Sequence, residues 1–390
     1  MQVKNEFVKF YKECGGVLDP KDIGDLKEHL YRRKRLYAML GIPAFSFKGI
    51  NALDIGGGSG YNTLVFLLLG AKVDLVEPNE NAAKMAQELF DKYKIPKAQY
   101  GIHNKILEDF KDSCQYDIII AEGFLHSLYA ENRAEVINKM KEFTQNGSYV
   151  VVTTMCEFSY FFEDLRRILG LVLTRDIAEF SQKADILSQA FESHLKSLKF
   201  AVRPARDWAI DTILNPGGDV KLFSIDECIG LFGTEYEVVG MSPNVYPNMS
   251  WYKDMEYSYA LDIVSNFDSF RHLLLSVAFR DFIRDKEKNR NLLKQLIKFR
   301  ECIKEYRDTK SDVILEKIVA ILKNIIDTNC DLGDGFVASI KECVEAILHK
   351  ETLSIEKIAK MQNLKNAWGR GMQYVSFKKL DRDINAKWNQ

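Results

Sequence analysis

The sequence has few cysteines, and none of them is paired in a metal-binding or redox spacing. Seven cysteines are scattered over 390 residues, and no two form a C-x-x-C pair. An odd number of cysteines without regular spacing is typical of reduced thiols and not of a disulfide framework or a structural zinc site. We therefore expect no metal site and a reducing, cytoplasmic environment.

Long apolar runs and an excess of charge of one sign are also lacking. No stretch contains 18 uninterrupted apolar residues, and the first residues, MQVKNEFVKFYKECGG, have no apolar core of signal-peptide length. The formal net charge is −1, which gives no general attraction to nucleic acid or to an anionic membrane. The composition therefore predicts a cytoplasmic protein with no membrane partner, and it does not favour nucleic acid as a partner.

What the sequence does contain is a glycine-rich turn between a short apolar strand and an apolar helix. Residues 51–63 read NALDIGGGSGYNT, with glycine at four of the five positions 56–60. Glycine permits positive φ and the close approach of a ligand to the main chain, and the next helix offers unpaired N–H groups. The turn predicts a cradle for a nucleotide or a carboxylate, unless it serves chain geometry alone.

An acid follows this turn at the distance expected for a βαβ unit. The next apolar strand leads into Glu77, which lies 21 positions after Gly56. A carboxylate at the tip of the neighbouring parallel strand can accept hydrogen bonds from both hydroxyls of a ribose. The dinucleotide fingerprint G-x-G-x-x-G is missing, because it would need glycine at Tyr61 or Thr63.

The spacing D-x-G-x-G-x-G over residues 54–60 resembles the first motif of class I S-adenosylmethionine-dependent methyltransferases. Residues 116–126 resemble the fourth strand and acidic loop of that family, and residues 147–152 resemble its fifth strand. The resemblance covers about residues 45–160. It implies a transferase with S-adenosyl-L-methionine as cofactor, and the flanking segments favour a bacterial subgroup that acts on surface sugars or secondary metabolites.

The resemblance also implies which residues contact the cofactor. They lie in the glycine turn or directly after predicted parallel strands, whose carboxyl ends meet at one edge of a sheet. For the adenine contact we prefer Asn104 to Asp109. The implied cofactor-binding residues are Asp54, Gly56, Gly57, Gly58, Gly60, Glu77, Asn104 and Glu122.

Methyl transfer to a hydroxyl requires removal of a proton, and His126 is the candidate catalytic base. It follows the fourth predicted strand, and an imidazole titrates near neutrality. Its alternative roles are to cap the next helix or to pack beneath the loop. His194, Asp207 and Asp211 are reserve candidates.

The pattern of the remaining residues predicts an α/β protein. Apolar strands alternate with amphipathic helices, which indicates a doubly wound, Rossmann-like sheet of mainly parallel strands. Strands are expected at 51–55, 72–77, 98–102, 116–121, 148–154 and 236–241, and helices at 60–69, 80–93 and 131–143.

Helical segments are expected on both sides of this pattern and within it. Two N-terminal helices, 2–13 and 19–40, are expected to cover the cofactor cleft, and the basic run 31–35 is interpreted as a solvated helix face or a phosphate site. The expected domains are an N-terminal helical cap (1–48), a cofactor-binding domain (49–265) with an insertion at about 157–235, and a helical C-terminal domain (266–390). Residues beyond about 280 are expected to stand apart from the sheet and to form a homodimer contact.

We expect an enzyme that methylates a small hydrophilic molecule, with a sugar or sugar nucleotide preferred. The aromatic and amide side chains of residues 157–255 suit the choice of such an acceptor. Three alternatives remain open: a protein or tRNA methyltransferase, a non-catalytic scaffold that binds a partner through its C-terminal helices, and a nicotinamide-dependent oxidoreductase.

Overall fold

The computed structural model describes residues 10, 25–198, 203–216, 221–253, 258–276 and 283–381. The helix expected at 2–13 therefore lies outside the described residues, except for Phe10. The chain divides into two compact units. The first comprises residues 1–155, 221–267 and 372–390, and the second comprises residues 156–220 and 268–371.

The first unit is built on a seven-stranded sheet. Its strands are β1 (Asn51–Ile55), β2 (Lys72–Val76), β3 (Tyr100–His103), β4 (Tyr116–Ala121), β5 (Thr144–Thr154), β6 (Tyr236–Ser242) and β7 (Gln373–Lys379). The order is β3-β2-β1-β4-β5-β7-β6, in which the first five strands are parallel and β7 is antiparallel to both of its neighbours. The expected α/β fold is confirmed.

The helices are numbered here in chain order. They are α1 (Leu26–Met39), α2 (Tyr61–Leu68), α3 (Glu80–Lys92), α4 (Ala130–Glu142), α5 (Glu157–Leu173), α6 (Phe180–Leu195), α7 (Ala205–Ala209), α8 (Ile225–Phe232), α9 (Tyr259–Phe270), α10 (Lys286–Thr309), α11 (Asp312–Thr328), α12 (Asp334–Leu348), α13 (Ile355–Ala359) and α14 (Gln362–Asn366). Within the described ranges, no helix combines the length and the apolar character needed to cross a bilayer.

Helix α3 shows how local sequence specifies these elements. Asn79 caps its first turn, because the side-chain oxygen accepts hydrogen bonds from the N–H groups of Asn81 (3.0 Å) and Ala82 (3.3 Å); such a cap contributes about 1 kcal/mol. Ala82, Ala86 and Phe90 recur every four residues and are buried. The helix therefore packs this apolar stripe within the core of the first unit.

Helix α1 is held in the first unit by aromatic packing and by a polar contact at its end. The ring of Tyr37 lies edge-on to Phe47 and Phe66, with centroids 5.2 Å and 5.3 Å away. At the C-terminus of the helix, the Ser376 hydroxyl donates to the carbonyl oxygen of Leu40 at 2.6 Å. The helix is thus fixed in position, and so are the polar side chains that it carries.

Strand β7 corrects the expected domain organisation. Residues 373–379 were placed in a helical C-terminal domain apart from the sheet, but they form a strand between β5 and β6. Val375 and Phe377 are buried on one face of the strand, and Ser376 is buried on the other. Because the buried residues include the polar Gln373 and Ser376, the strand has no continuous apolar run of the kind that indicates a central strand.

The second unit is helical, and its centre is α5. Almost every side chain of this helix is buried, including several charged ones. The carboxylate of Asp164 accepts two hydrogen bonds from Arg300 at 2.7 Å and 2.6 Å, which compensates both buried charges. Most of the insertion expected at about 157–235 does not stand alone, because residues 156–220 form one unit with 268–371.

Candidate functional site

The glycine turn connects β1 to α2, and several of its glycines are required by packing. Gly56 and Gly60 have φ values of 67° and 78°, which other residues rarely adopt. A Cβ at Gly57 would lie 2.8 Å from Asp54 Oδ2, and a Cβ at Gly60 would lie 2.9 Å from Ala86. The backbone conformation and the packing of the turn therefore explain why glycine occupies these three positions.

Gly58 is different, because packing does not explain it. Its φ is 58°, and a Cβ built on it would meet no atom within 4 Å. Its N–H group donates to Glu77 Oε2 at 2.9 Å. The space that a side chain at Gly58 would fill therefore contains no protein atom.

Glu77 directly follows β2 and lies beside the turn. Besides the bond from Gly58, its Oε1 accepts from the N–H of Asn79 at 2.8 Å. The residue is only 6% exposed. Burial raises the pKa of this carboxyl, and the two N–H donors act against that rise. Asn104 is brought to the same place, since its side-chain nitrogen donates to the carbonyl oxygen of Glu77 at 2.9 Å.

Asp54 lies beneath the turn, and its side chain is directed into the unit. Its Oδ2 accepts a hydrogen bond from the Thr63 hydroxyl at 2.6 Å, and the residue is 2% exposed. Burial raises the pKa of Asp54 to about 7, against the lowering effect of the Thr63 bond. The geometry favours a role in holding β1 to α2 over direct contact with a ligand.

The elevated pKa of Asp54 leads to a prediction about stability. The pKa of an aspartate in the unfolded chain is 3.8, and the pKa of Asp54 in the folded protein is about 7. Between these two pH values the folded protein binds more protons than the unfolded chain does. Its free energy of unfolding therefore falls as the pH rises from 3.8 to about 7. Asp54→Asn removes this titration while keeping an acceptor for Thr63. Its stability relative to wild type should rise by up to about 4 kcal/mol between about pH 4 and pH 7.

Urea unfolding of both proteins across this pH range measures the effect. Asp327 is exposed, so the control variant Asp327→Asn should show the same pH dependence of the free energy of unfolding as wild type. Parallel stability curves for wild type and Asp54→Asn would show that Asp54 does not titrate in this window.

Glu122 follows β4 and accepts hydrogen bonds from two neighbouring helices. Its Oε1 accepts hydrogen bonds from the Arg33 guanidinium at 2.5 Å and from the Tyr37 hydroxyl at 2.8 Å, and both of these residues belong to α1. Its Oε2 accepts a hydrogen bond from the side-chain nitrogen of Asn62 in α2 at 3.2 Å. Arg33 was not predicted as a site residue, because the basic run 31–35 was interpreted as a solvated face or a phosphate site. Only the periodicity that places Arg33 on the same helix face as Tyr37 signals its burial.

His126 lies in the short turn Leu125–Ser127, on the loop that begins with Glu122, and is half-buried. Its assignment as a base remains a prediction. The reserve candidate His194 is buried in the second unit, where it contacts Arg166 Nε at 3.3 Å and the carbonyl oxygen of Ile358 at 2.9 Å. Burial, followed by the charge of Arg166, lowers the pKa of His194 to about 3, so this imidazole is a poor proton acceptor.

The two reserve acids also lie in the second unit. Asp207 is part of the short helix α7. Asp211 accepts hydrogen bonds from Arg203 at 2.6 Å and from the side-chain amide of Asn215 at 3.2 Å. These contacts give Asp211 a structural role, so His126 remains the preferred candidate.

Residues 44–162 match the family model described as tellurite resistance protein TehB. This range contains β1 to β5, the glycine turn and the acids that follow β2 and β4. A comparison with curated proteins finds no match.

The solved structures to which the chain is similar include the following three. The N-methyltransferase NodS from Bradyrhizobium japonicum WM9, in complex with S-adenosyl-l-homocysteine, is 16% identical over 39% of this chain and 74% of that chain, with a TM-score of 0.32. PKMT2 from Rickettsia typhi, in complex with AdoHcy, is 12% identical over 62% and 50%, with a TM-score of 0.42. TehB from Haemophilus influenzae is 22% identical over 39% and 46%, with a TM-score of 0.26. The chain thus spans about half the length of the last two.

Three findings agree on the family that residues 44–162 resemble. The sheet has the expected parallel order around β1, the turn after β1 leaves Gly58 open beside a buried acid, and the family model covers both features. Residues 44–162 are thus similar, in motif, in fold and by the family model, to a class I S-adenosylmethionine-dependent methyltransferase domain.

Proposed function

We propose that the first unit holds S-adenosyl-L-methionine against the glycine turn, with the ribose at Glu77. The observation that carries this proposal is the open main chain at Gly58, next to a carboxylate that already accepts N–H donors. A ribose presents two hydroxyl donors, which suit the two oxygens of Glu77. We assign the adenine contact to Asn104, because its side-chain nitrogen donates to the carbonyl oxygen of Glu77. When bound, the cofactor supplies an electrophilic methyl group.

We propose a small hydrophilic acceptor, with a sugar or sugar nucleotide preferred. Strand β6 is parallel to β5, because both are antiparallel to β7, so the loop after β6 begins at the edge that carries the glycine turn. In this loop Trp251 and Tyr252 are 59% and 77% exposed, and Lys253 lies over both rings. Exposed aromatic faces next to polar groups suit a ring-shaped, hydroxyl-bearing molecule.

Transfer of a labelled methyl group tests the acceptor class. Incubation of the full chain and labelled cofactor with a metabolite extract should place the label in an acid-soluble product that chromatography separates from the cofactor. Label in acid-insoluble material would favour the alternative of a protein or tRNA acceptor. Cofactor binding with no transfer to either fraction would favour a non-catalytic scaffold.

For His126 we propose the role of general base toward the acceptor hydroxyl. Replacing it by alanine should lower turnover by about 10²- to 10⁴-fold, because no other group would take the proton, and should leave the affinity for S-adenosylhomocysteine unchanged. His349→Ala is a matched control, since His349 is exposed in the second unit. Full turnover of His126→Ala would eliminate this histidine as the base.

The finer assignments are also proposals. From the sequence we infer that the protein belongs to a bacterial subgroup and is located in the cytoplasm. We also infer a homodimer formed through the C-terminal helices, because apolar side chains such as Val313 and Leu348 are exposed there. The mass of the protein in solution, measured by light scattering, tests the dimer. A monomeric mass at the concentrations used for assays would contradict it.

A further inference from the structure

A buried arginine near the start of α4 contacts two separate segments of the first unit. The side chain of Arg133 is only 1% exposed. Its guanidinium donates to the carbonyl oxygens of Leu125 at 3.1 Å and Leu222 at 3.3 Å, and also to that of Lys221. It lies 3.2 Å from Glu227 Oε1 as well. Arg133 therefore joins the loop after β4 to the segment that precedes α8.

Stability alone is a weak explanation for a charge in this place. Removing a guanidinium from water is costly, and a well-packed apolar side chain often serves an interior as well as a buried ion pair does. What an arginine adds is a planar group of N–H donors whose directions are fixed relative to one another. Because the donors of Arg133 reach carbonyl groups of two segments, they also fix the position of one segment relative to the other.

The first of these segments carries His126. The Leu125 carbonyl belongs to the peptide group that joins Leu125 to His126, so the hydrogen bond from Arg133 Nε restricts the orientation of that group. The same oxygen accepts from the N–H of Leu128 at 3.2 Å, which closes the short turn around His126. The main chain that carries the imidazole is therefore fixed directly by Arg133.

The second segment, residues 221–223, lies at the same edge of the sheet. The N–H of Met155, directly after β5, donates to the carbonyl oxygen of Phe223 at 2.8 Å. Strands β4 and β5 are parallel, so the loops that follow them begin at one edge. The guanidinium carbon of Arg133 lies 5.2 Å from the centroid of the Phe223 ring. The segment that anchors Arg133 is thus itself attached to the sheet.

We propose that Arg133 is a positioning residue for His126, and that it holds the imidazole within reach of the acceptor hydroxyl. This inference rests on the proposed role of His126 as the general base. Arg133 takes up no proton itself, because a guanidinium stays charged at all ordinary pH values. Its contribution is geometric, since a displacement of a reacting group by about 1 Å can lower a rate by about 100-fold.

A double-mutant cycle tests this inference. Turnover is measured as the transfer of a labelled methyl group from S-adenosylmethionine to an acid-soluble product of a metabolite extract. Arg133→Met should lower turnover by about 10- to 100-fold. It should leave the affinity for S-adenosylhomocysteine within about twofold of wild type, which also shows that the variant folds. When His126 is already replaced by alanine, the same substitution should cause no further loss, because Arg133 acts through the imidazole.

Lys141→Met is the matched control. Lys141 lies on the same helix, about two turns further on, and likewise donates to a main-chain carbonyl, that of Leu231 at 2.7 Å. This contact joins α4 to α8 without involving the loop of His126, so turnover should equal that of wild type. Arg133→Lys keeps a charge beside Glu227 but loses the Nε donor, and its turnover should fall between those of Arg133→Met and wild type. It replaces Arg133→Met in the cycle if that variant does not fold.

Two results would overturn the inference alone. An equal loss of turnover from Arg133→Met with and without His126 would show that the arginine is purely structural. Full turnover of Arg133→Met would show that His126 needs no such support. Full turnover of His126→Ala would instead overturn the proposed base, and this inference with it.

Discussion

Gly58→Val is expected to lower the affinity for S-adenosylhomocysteine by at least about 100-fold, or about 2.7 kcal/mol. A Cβ at Gly58 meets no protein atom within 4 Å, so the added side chain fills the space in which we place the ligand. The valine side chain also keeps the ligand away from the main chain at Gly58. This part of the main chain lies next to Glu77, because the Gly58 N–H group donates to its carboxylate. Calorimetric titration of the folded variant gives the loss directly.

Valine at φ of 58° also strains the backbone, so this prediction needs a control in which valine replaces another glycine of positive φ. Gly147 has φ of 85°, and a Cβ at this position would likewise meet no atom within 4 Å. It lies in β5 between Thr144 and Tyr149, which pair with Tyr116 and Ile118 at the start of β4, and this edge of the sheet is opposite the glycine turn. Gly147→Val should lose stability but keep its affinity. Equal affinities of the two variants would contradict a ligand at Gly58.

Glu77→Ala is expected to weaken S-adenosylhomocysteine by about 30- to 150-fold, which corresponds to about 2–3 kcal/mol for the loss of a charge-assisted pair of hydrogen bonds. The carboxylate is buried and held by the N–H groups of Gly58 and Asn79, so its removal leaves these two donors without their acceptor as well as the ribose hydroxyls that we place there. Titration of this variant beside wild type measures the loss.

Glu80→Ala is the matched control for this substitution. Glu80 begins α3 three residues further on, and it is exposed and paired with Lys84 at 2.7 Å. Its loss removes a surface carboxylate close in sequence to Glu77 and should leave the affinity unchanged. If Glu77→Ala bound as tightly as Glu80→Ala, the ribose would have to lie elsewhere.

The sequence predicts most of the parallel half of the sheet because the information there is local. The runs that became β1 and β2 are apolar and short, and the glycine turn between β1 and α2 contains the residues that its positive φ values require. The position of Glu77 follows from the length of one βαβ unit. Such features depend on neighbours in sequence and can be derived without tertiary contacts.

The features that were missed depend on contacts between residues far apart in the chain. Arg33 contacts Glu122, 89 positions away, and its own neighbourhood in the sequence is a basic run typical of a solvated helix. Strand β7 hydrogen-bonds to β5 and β6. Its buried polar residues, Gln373 and Ser376, do not indicate a central strand in the sequence. The grouping of 156–220 with 268–371 has the same origin, because those helices are complementary only once they are packed together.

Titration of the full-length chain with S-adenosylhomocysteine, in parallel with NAD, tests the central claim most directly. The open glycine turn, the buried Glu77 and the missing dinucleotide fingerprint predict saturable binding of S-adenosylhomocysteine, one molecule per chain, and no binding of NAD. Tight binding of NAD, with no binding of S-adenosylhomocysteine at high micromolar concentration, would contradict this account and favour an oxidoreductase.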